Sequence, residues 1–164
     1  MTTISSPVGA RFIGQSVRRK EDRRLLTGHG QYVDDVHVPG MLHAAFLRSD
    51  VARGRITSID VSAAREAPGV HAVFTWQEFH ERYGEAYHVM LGEELVVPPP
   101  LAIMDVRHVG DPIALVIADS RYLAEDATEL IEIEIEADQA VVDYRTAGAD
   151  TGNVVHAGWG LPSN

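Results

Sequence analysis

Residues 18–49 read RRKEDRRLLTGHGQYVDDVHVPGMLHAAFLRS and hold the clearest structural signals of the chain. A basic segment over 18–26 has the composition of a short helical turn, with two leucines at its end as apolar anchors. The Thr-Gly-His-Gly sequence that follows predicts a turn, because glycine reaches positive φ without steric penalty. Residues 31–34 predict a short strand, and the apolar residues 42–48 predict a longer, mostly buried one. The core of the domain is therefore expected to begin near Leu42.

Short strands and short helices alternate along the rest of the chain. Ile56 and Ile59 are three residues apart, which breaks strict alternation and predicts a bulge in the strand that contains them. Thr75 followed by Glu78 has the pattern of a capping box and predicts a helix that begins there and runs through Tyr83. The predicted strands are 42–48, 56–61, 70–74, 106–109, 113–118 and 131–136, and the predicted helices are 62–66, 75–83 and 120–130.

The most regular pattern is the alternation IEIEIE over 131–136, which predicts a strand with isoleucines inward and glutamates outward. A turn at 110–112 separates two apolar strands and predicts a hairpin, and Ser120 is placed to cap the helix that follows. The apolar stripe of that helix consists of Leu123, Ala127 and Leu130. Short helices beside hairpin-compatible strands favour an α+β fold with a mixed sheet over a doubly wound parallel sheet.

Residues 84–100 lack a regular period and predict a long excursion between the helix and the hairpin. Three consecutive prolines at 98–100 favour an extended conformation that cannot continue a central strand. A brief strand is expected at 94–97. Connections of this length are usually functional or disordered, so the excursion is a candidate functional segment.

The composition limits the class of protein. The 164 residues fit one ordinary domain or one domain with a tail, and 45% hydrophobic content can support a core. No apolar run is long enough to predict a membrane span, and the first residues lack the pattern of a signal peptide. The chain has no cysteine, which excludes disulfides, thiolate metal ligands and a cysteine nucleophile. We therefore expect a cytoplasmic protein.

Charge is unevenly distributed along the chain. The net charge is −10, but residues 1–24 carry six Lys/Arg against two acidic residues, so the remainder carries −14. A basic arm of this kind can bind nucleic acid, lie on an acidic partner surface or lie on its own body. No aromatic residues are interleaved with the basic ones, and the acidic body would repel a phosphate backbone. We therefore expect no nucleic-acid partner.

Two groups of side chains invite a metal interpretation. His29 and His37 flank Asp34 and Asp35, but no histidine pair has the i, i+4 spacing of a helical metal site, and adjacent carboxylates on a strand point to opposite faces. A turn that carries polar side chains explains this cluster. The three glutamates of 131–136 are about 7 Å apart per step along a strand, too far for one cation. They predict a solvated strand face.

Nucleophile and phosphate-binding motifs are also missing. The serines at 5, 6, 49 and 62 lack the Gly-x-Ser-x-Gly context of a nucleophile elbow. The Gly-His-Gly sequence at 28–30 lacks the further glycine and the lysine of a phosphate loop. From the residues alone, we predict no catalytic, cofactor-binding or metal-binding residue.

The stretch 18–49 resembles the N-terminal opening of the large, molybdopterin-binding subunit of the molybdenum hydroxylases. This family includes xanthine dehydrogenases, aldehyde oxidases and the carbon monoxide dehydrogenase large subunit. The resemblance recurs in 55–70, in the Val-Gly-Asp-Pro region of 106–118 and in 124–143, so it covers about residues 11–164 in order. It implies an α/β hammerhead domain.

The resemblance also implies a division of labour. It places the molybdopterin contacts and a catalytic glutamate in later domains of the subunit, and iron–sulfur clusters and FAD on other parts of the complete enzyme. That enzyme would oxidise an aldehyde, an N-heterocycle or carbon monoxide with water-derived oxygen. The expected organisation is a basic arm at 1–24, a hammerhead domain at 25–146 and an exit segment at 147–164. In relatives, the long excursion borders the substrate entrance.

Two turns depart from the family pattern. Residues 50–54 stand where the family usually has Pro-x-Ala-His-Ala, and residues 135–139 stand where it has Tyr-Glu-Pro-Leu-Pro. The leading expectation is an N-terminal domain or small split subunit that is inactive alone, binds the remaining molybdopterin-binding region, and associates with the iron–sulfur and FAD subunits or with itself. The alternative is a free-standing, non-catalytic interaction domain of the same fold.

Overall fold

The computed structural model describes residue 14 and residues 16–91, 99–149 and 152–157, with side chains on the helix that ends at Leu91 described as far as Gly84. The chain divides into two compact units, 1–40 and 41–164. No helix among the described residues has both the length and the apolar character needed to cross a membrane.

The first unit contains two short helical elements. Helix α1 (Asp22–Leu26) lies within the segment predicted to be helical, and Gly28 has the positive φ that the predicted turn requires. The strand predicted at 31–34 is wrong, because Val33–Asp35 forms a 3₁₀ helix. The Asp35 carboxylate accepts a hydrogen bond from the Tyr32 backbone N–H at 2.9 Å, which closes the chain into a turn. Leu26 is 86% exposed, so the prediction that it is an apolar anchor is wrong for the part of this unit that the structure describes.

The second unit is built from six strands and four helices among its described residues. All of the strand pairs are antiparallel, so the α+β class is confirmed, with two small sheets in place of one mixed sheet. In chain order the elements are β1 (His43–Arg48), β2 (Gly54–Asp60), α2 (Ser62–Glu66), β3 (Val70–Thr75), α3 (Trp76–Leu91), β4 (Asp105–Val106), β5 (Pro112–Ala118), α4 (Arg121–Glu129), β6 (Glu132–Ala137) and α5 (Tyr144–Ala147).

Each sheet has three strands. Sheet A has the order β1-β5-β3, and sheet B has the order β4-β2-β6. The predicted hairpin between the strands that flank 110–112 is wrong, because β4 pairs with β2 while β5 pairs with β1 and β3. Gly110 has φ +91 and redirects the chain from one sheet to the other. The predicted bulge in β2 is confirmed by a register shift between Ile56 and Ser58.

The core is continuous between the two sheets. One cluster lies between the inner face of sheet A and helices α2 and α4, and it includes Val73, Val116 and Ala127. A second cluster lies on the inner face of sheet B, where Val106 is fully buried. Leu47 and Ile59 pack against both clusters, and the two therefore form one hydrophobic core.

Two helix caps follow the sequence pattern. The Glu78 carboxylate accepts from the Thr75 backbone N–H at 3.0 Å, and the Ser120 hydroxyl accepts from the Leu123 N–H at 3.3 Å. Each contact satisfies a backbone donor that a helix N-terminus leaves without an intrahelical partner. The capping predictions are confirmed.

Other local predictions are corrected. Helix α3 continues past Tyr83 to Leu91, because a glycine costs a helix only about 1 kcal/mol. Gly84 is buried there, and a β-carbon at this position would lie 2.6 Å from the His80 ring. The strand predicted at 94–97 lies outside the described residues. Strand β1 alternates between half-buried and exposed residues instead of being mostly buried, because Ala45 and Leu47 face the core while Ala44 and Phe46 lie on the outer face of sheet A.

Candidate functional site

The structure does not gather the polar clusters of the sequence into a metal site. Among the described residues, no group of three His, Asp or Glu side chains could hold a metal ion. His29 lies with its Nδ1 atom 3.1 Å from the Thr27 hydroxyl, and Asp35 closes the turn at Tyr32. We derive no catalytic step for this chain.

The serine of the first motif has a structural role. The Ser49 hydroxyl donates to the Val51 carbonyl at 2.8 Å and accepts from the Val51 N–H at 3.1 Å. The backbone of Ser49 exchanges hydrogen bonds with the Gly110–Asp111 turn, at 2.7 and 2.9 Å. Asp111 is buried, and its carboxylate accepts from the Arg107 N–H at 2.9 Å. Two motifs that carry the family resemblance therefore hold each other in place.

A further contact between distant segments lies just before β2, at Arg53, and is called the Arg53 corner below. The Arg53 side chain is only 18% exposed and lies 3.5 Å from the Asp138 carboxylate. Its guanidinium donates to the Gln139 and Val154 carbonyl oxygens and to the Asn153 amide oxygen. The two turns that depart from the family pattern thus contact each other here. The Arg53 side chain and the Gln139 backbone carbonyl also bind residues 153 and 154, a contact that no local sequence signal predicts.

A polar cleft of about 510 Å³ lies beside this corner. Arg55 and Asp105 form a 3.3 Å ion pair on its wall, and Val154 and Val155 line the opposite part. His156 follows them, and burial lowers the pKa of its imidazole below the usual 6.5, with the positive charge of Arg107 acting in the same direction. The cleft therefore mixes charges of both signs and lacks a single charge preference.

The outer face of sheet A is apolar. The strand register places Phe46, Leu115 and Phe74 in one row across the three strands, and Ala44, Ile117 and Ala72 in the next row. Phe46 is 42% exposed, and the Arg48 guanidinium lies 5.2 Å from the centre of its ring. Leu115 and Phe74 are half-buried, and the Phe74 ring lies 6.3 Å from the Tyr83 ring of α3. The exposed apolar part of this face therefore centres on Phe46, and an exposed aromatic beside a charged residue is a candidate interaction surface.

The outer face of sheet B is charged. Its cross-strand pairs are Arg55 with Glu136, Ser58 with Glu134 and Asp60 with Glu132. All six residues are exposed, so the prediction of a solvated glutamate face is confirmed. This face matches an ordinary water-exposed surface.

A smaller apolar cleft of about 280 Å³ opens between the sheets. Ile56 and Ile113 form its floor, and Trp76 and the exposed Met104 lie at its rim. The Trp76 ring stacks on His80 with 5.1 Å between ring centroids, which holds the indole in place. The cleft is close to the start of α3 and enlarges the apolar surface of the domain.

Comparison with known proteins identifies the family. The profile of the family described as aldehyde oxidase and xanthine dehydrogenase, a/b hammerhead domain, matches residues 27–139. The chain belongs to this family. The resemblance inferred from residues 18–49 is confirmed.

The hammerhead chain is similar to parts of much longer proteins. It is 46% identical over 143 residues to the nicotine 6-hydroxylase large subunit of Paenarthrobacter nicotinovorans, covering 86% of this chain and 18% of that protein. It is 40% identical over 124 residues to the carbon monoxide dehydrogenase large chain of Hydrogenophaga pseudoflava, covering 76% and 15%. The chain thus spans less than a fifth of the length of these relatives.

Solved structures have the same fold. The quinoline 2-oxidoreductase of Pseudomonas putida 86 aligns with a TM-score of 0.69 at 40% identity, covering 82% of this chain and 17% of that one. A copper- and molybdenum-containing CO dehydrogenase aligns with the same TM-score at 38% identity. The two-sheet arrangement of the hammerhead chain is therefore the arrangement found in molybdenum hydroxylases.

Proposed function

We propose that this chain is the hammerhead module of the molybdopterin-binding subunit of a molybdenum hydroxylase. In this role it supplies structure rather than catalytic residues, and it is inactive alone. The proposal rests on the high identity to large subunits together with the apolar outer face of sheet A. Phe46 is exposed within an apolar row, and an exposed apolar patch on a small domain often marks a surface that another protein segment covers.

An N-heterocycle is the proposed substrate class of the assembled enzyme. The nicotine 6-hydroxylase large subunit and quinoline 2-oxidoreductase are relatives at 46% and 40% identity, and both names give N-heteroaromatic molecules. The carbon monoxide dehydrogenase large chain is a relative at 40% identity, so oxidation of carbon monoxide is the second candidate. Aldehyde oxidoreductase structures are less similar, at 27% identity or below.

The proposed partner of the sheet A face is the remaining molybdopterin-binding region. The relatives contain the matched segment within chains more than five times as long, so the region that would cover this face is part of the same subunit in them. Molybdopterin belongs to that region, and iron–sulfur clusters and FAD belong to further subunits. The arm at 1–24, the domain at 25–146 and the exit segment at 147–164 remain the proposed divisions, and the cytoplasm remains the proposed location.

Complementation tests this function. The full chain would be co-expressed with nicotine 6-hydroxylase whose large subunit lacks the segment that matches it. We expect the chain to co-purify with that subunit and to restore nicotine hydroxylation. Phe46→Asp should weaken co-purification at least about tenfold, because it places a charge in a surface that must lose water. Ser58→Asp adds the same charge to the outer face of sheet B and should have no effect.

Two outcomes would contradict the proposal. A chain that stays monomeric and does not associate with the truncated subunit would favour the free-standing interaction domain. Equal loss of co-purification in the Phe46→Asp and Ser58→Asp variants would remove the special role of sheet A. Circular dichroism of both variants, with thermal unfolding, shows whether they remain folded.

A further inference from the structure

Residues 152–157 lie against the body of the domain through a long-range contact. The Arg53 guanidinium reaches the Asn153 amide oxygen and lies 3.4 Å from the Val154 carbonyl oxygen. These residues are about a hundred positions apart in the sequence. The Asn153 side chain also donates to the Gln139 carbonyl at 3.4 Å, so three separate segments meet at one point.

The geometry requires a guanidinium. Arg53 donates to three neutral oxygen atoms in addition to its ion pair with Asp138. Arginine presents five N–H donors in a rigid planar fork, whereas lysine carries one compact ammonium group on a flexible stem. A lysine could keep the ion pair with Asp138, but it could not bond all of these acceptors at once.

The surroundings leave little freedom at this corner. A β-carbon on Gly54 would lie 2.6 Å from the Glu136 carbonyl oxygen and 2.8 Å from the Ile135 side chain. The Arg53 carbonyl accepts from the Asp138 N–H at 2.9 Å, which fixes the backbone from which the side chain extends. The tightly packed main chain at residues 53 and 54 thus fixes the point from which the Arg53 side chain extends.

We propose that Arg53 is a clasp that holds residues 152–157 in one course across the corner formed by β2 and β6. By this contact it also shapes the 510 Å³ cleft, because Val154, Val155 and Ala157 belong to the cleft wall. The Arg53 side chain is only 18% exposed, and partial desolvation of its charge is costly, so such a contact contributes more to fixing one arrangement than to net stability. Release of the clasp should free residues 152–157 while the two sheets stay folded.

Hydrogen–deuterium exchange of the full chain tests the clasp. In Arg53→Lys, the amides of 152–157 should exchange about tenfold faster, while those of β2 and β6 change less than twofold. Arg55→Lys is the matched control, since Arg55 lines the same cleft but its side chain is 64% exposed. That variant should leave the exchange of 152–157 unchanged.

A strengthening variant separates the clasp from a general packing effect. Asn153→Asp gives Arg53 a carboxylate in place of a neutral acceptor, and charge-assisted hydrogen bonds are roughly twice as strong as neutral ones. It also removes the Asn153 donor to the Gln139 carbonyl, but that bond is long at 3.4 Å, so a net gain is expected. It should slow the exchange of 152–157 about threefold, and this gain should vanish in the Arg53→Gln background. Unchanged exchange in Arg53→Lys, equally faster exchange throughout both sheets, or an Asn153→Asp gain that persists without Arg53 would each overturn the proposal.

Discussion

The two sheets of the 41–164 unit are built alike on their inner faces and differ on their outer faces. Both have three antiparallel strands and both cover part of one hydrophobic core. Across sheet A the outer row is Phe46, Leu115 and Phe74, whereas sheet B pairs Ser58 with Glu134. The same architecture therefore carries one surface that suits water and one that suits a partner.

This difference is the structural basis for proposing sheet A as the interaction surface. A charged outer face is stable in water, because its side chains are solvated and require no partner surface. On sheet A, Phe46 is 42% exposed, while Leu115 and Phe74 beside it are half-buried. Burial of the apolar area that remains in water is favourable, by roughly 25 cal/mol for each Å². Of the two sheets, sheet A is therefore the one with more to gain from association.

The largest expected effect tests the inner face of sheet B against its outer face. Ile133→Ala should lower the free energy of unfolding by about 2 kcal/mol, near the low end for a large-to-small core change, because Ile133 is half-buried. Glu134→Ala, on the adjacent residue, should stay within about 0.5 kcal/mol. Urea unfolding of both variants measures this pair. A larger loss in Glu134→Ala would mean that β6 is shifted by one residue.

A smaller effect concerns the helix that covers the inner face of sheet A. Ser120→Ala removes the cap of α4 and should cost about 1 kcal/mol, because the Leu123 N–H loses its acceptor. Ser120→Asp restores an acceptor and should recover most of this loss. Thermal unfolding compares the three proteins. A cost below about 0.3 kcal/mol for Ser120→Ala would contradict a stabilising cap, for which typical values are larger.

Local sequence patterns predicted the strand faces and the helix caps, but they did not predict contacts between residues that are distant in the sequence. The alternation of 131–136 places glutamates outward, and the caps at Thr75 and Ser120 follow from spacing within one turn. The partners of β4 and β5 could not be read from their closeness in sequence, because each pairs with a distant strand. The contacts of Arg53 were not predicted for the same reason. Its acceptors lie 86 to 101 positions away, and only the fold brings them together.

A substitution on the outer face of sheet A should change the free energy of unfolding little and the hydrophobicity of the surface clearly. Phe46→Ser should change the free energy of unfolding by less than about 1 kcal/mol, since the ring is already partly in water. It should nevertheless shorten retention on a hydrophobic-interaction column and weaken the binding of an apolar dye. Tyr122→Ser, at an exposed position on α4 outside this face, is the control. Equal shifts in both variants would argue against a distinct apolar surface.

The smallest expected effect is a pH dependence that arises at Asp60, at the end of β2 in sheet B. Asp60 accepts hydrogen bonds from the Ser62 hydroxyl at 2.5 Å and the Ser62 N–H at 2.8 Å, and these bonds lower the pKa of its carboxyl below the usual 3.8. A carboxyl whose pKa is lowered by folding contributes stability above its unfolded pKa and loses it as the pH falls through the folded value. The loss therefore belongs below about pH 4.

Removal of the Ser62 hydroxyl, whose hydrogen bond lowers the pKa of Asp60 most, tests the cause of this shift. Ser62→Ala should raise the pKa of Asp60 toward 3.8 and flatten this part of the acid dependence, because the hydroxyl is the main source of the shift. Ser58→Ala lies on the same face without a bond to Asp60 and should leave its titration unchanged. Carboxyl titration followed by NMR measures both. If the pKa of Asp60 is the same in Ser62→Ala, the shift comes from the backbone hydrogen bond alone. If the loss of stability at acid pH instead comes from residues of sheet A, the contrast between the two outer faces is wrong.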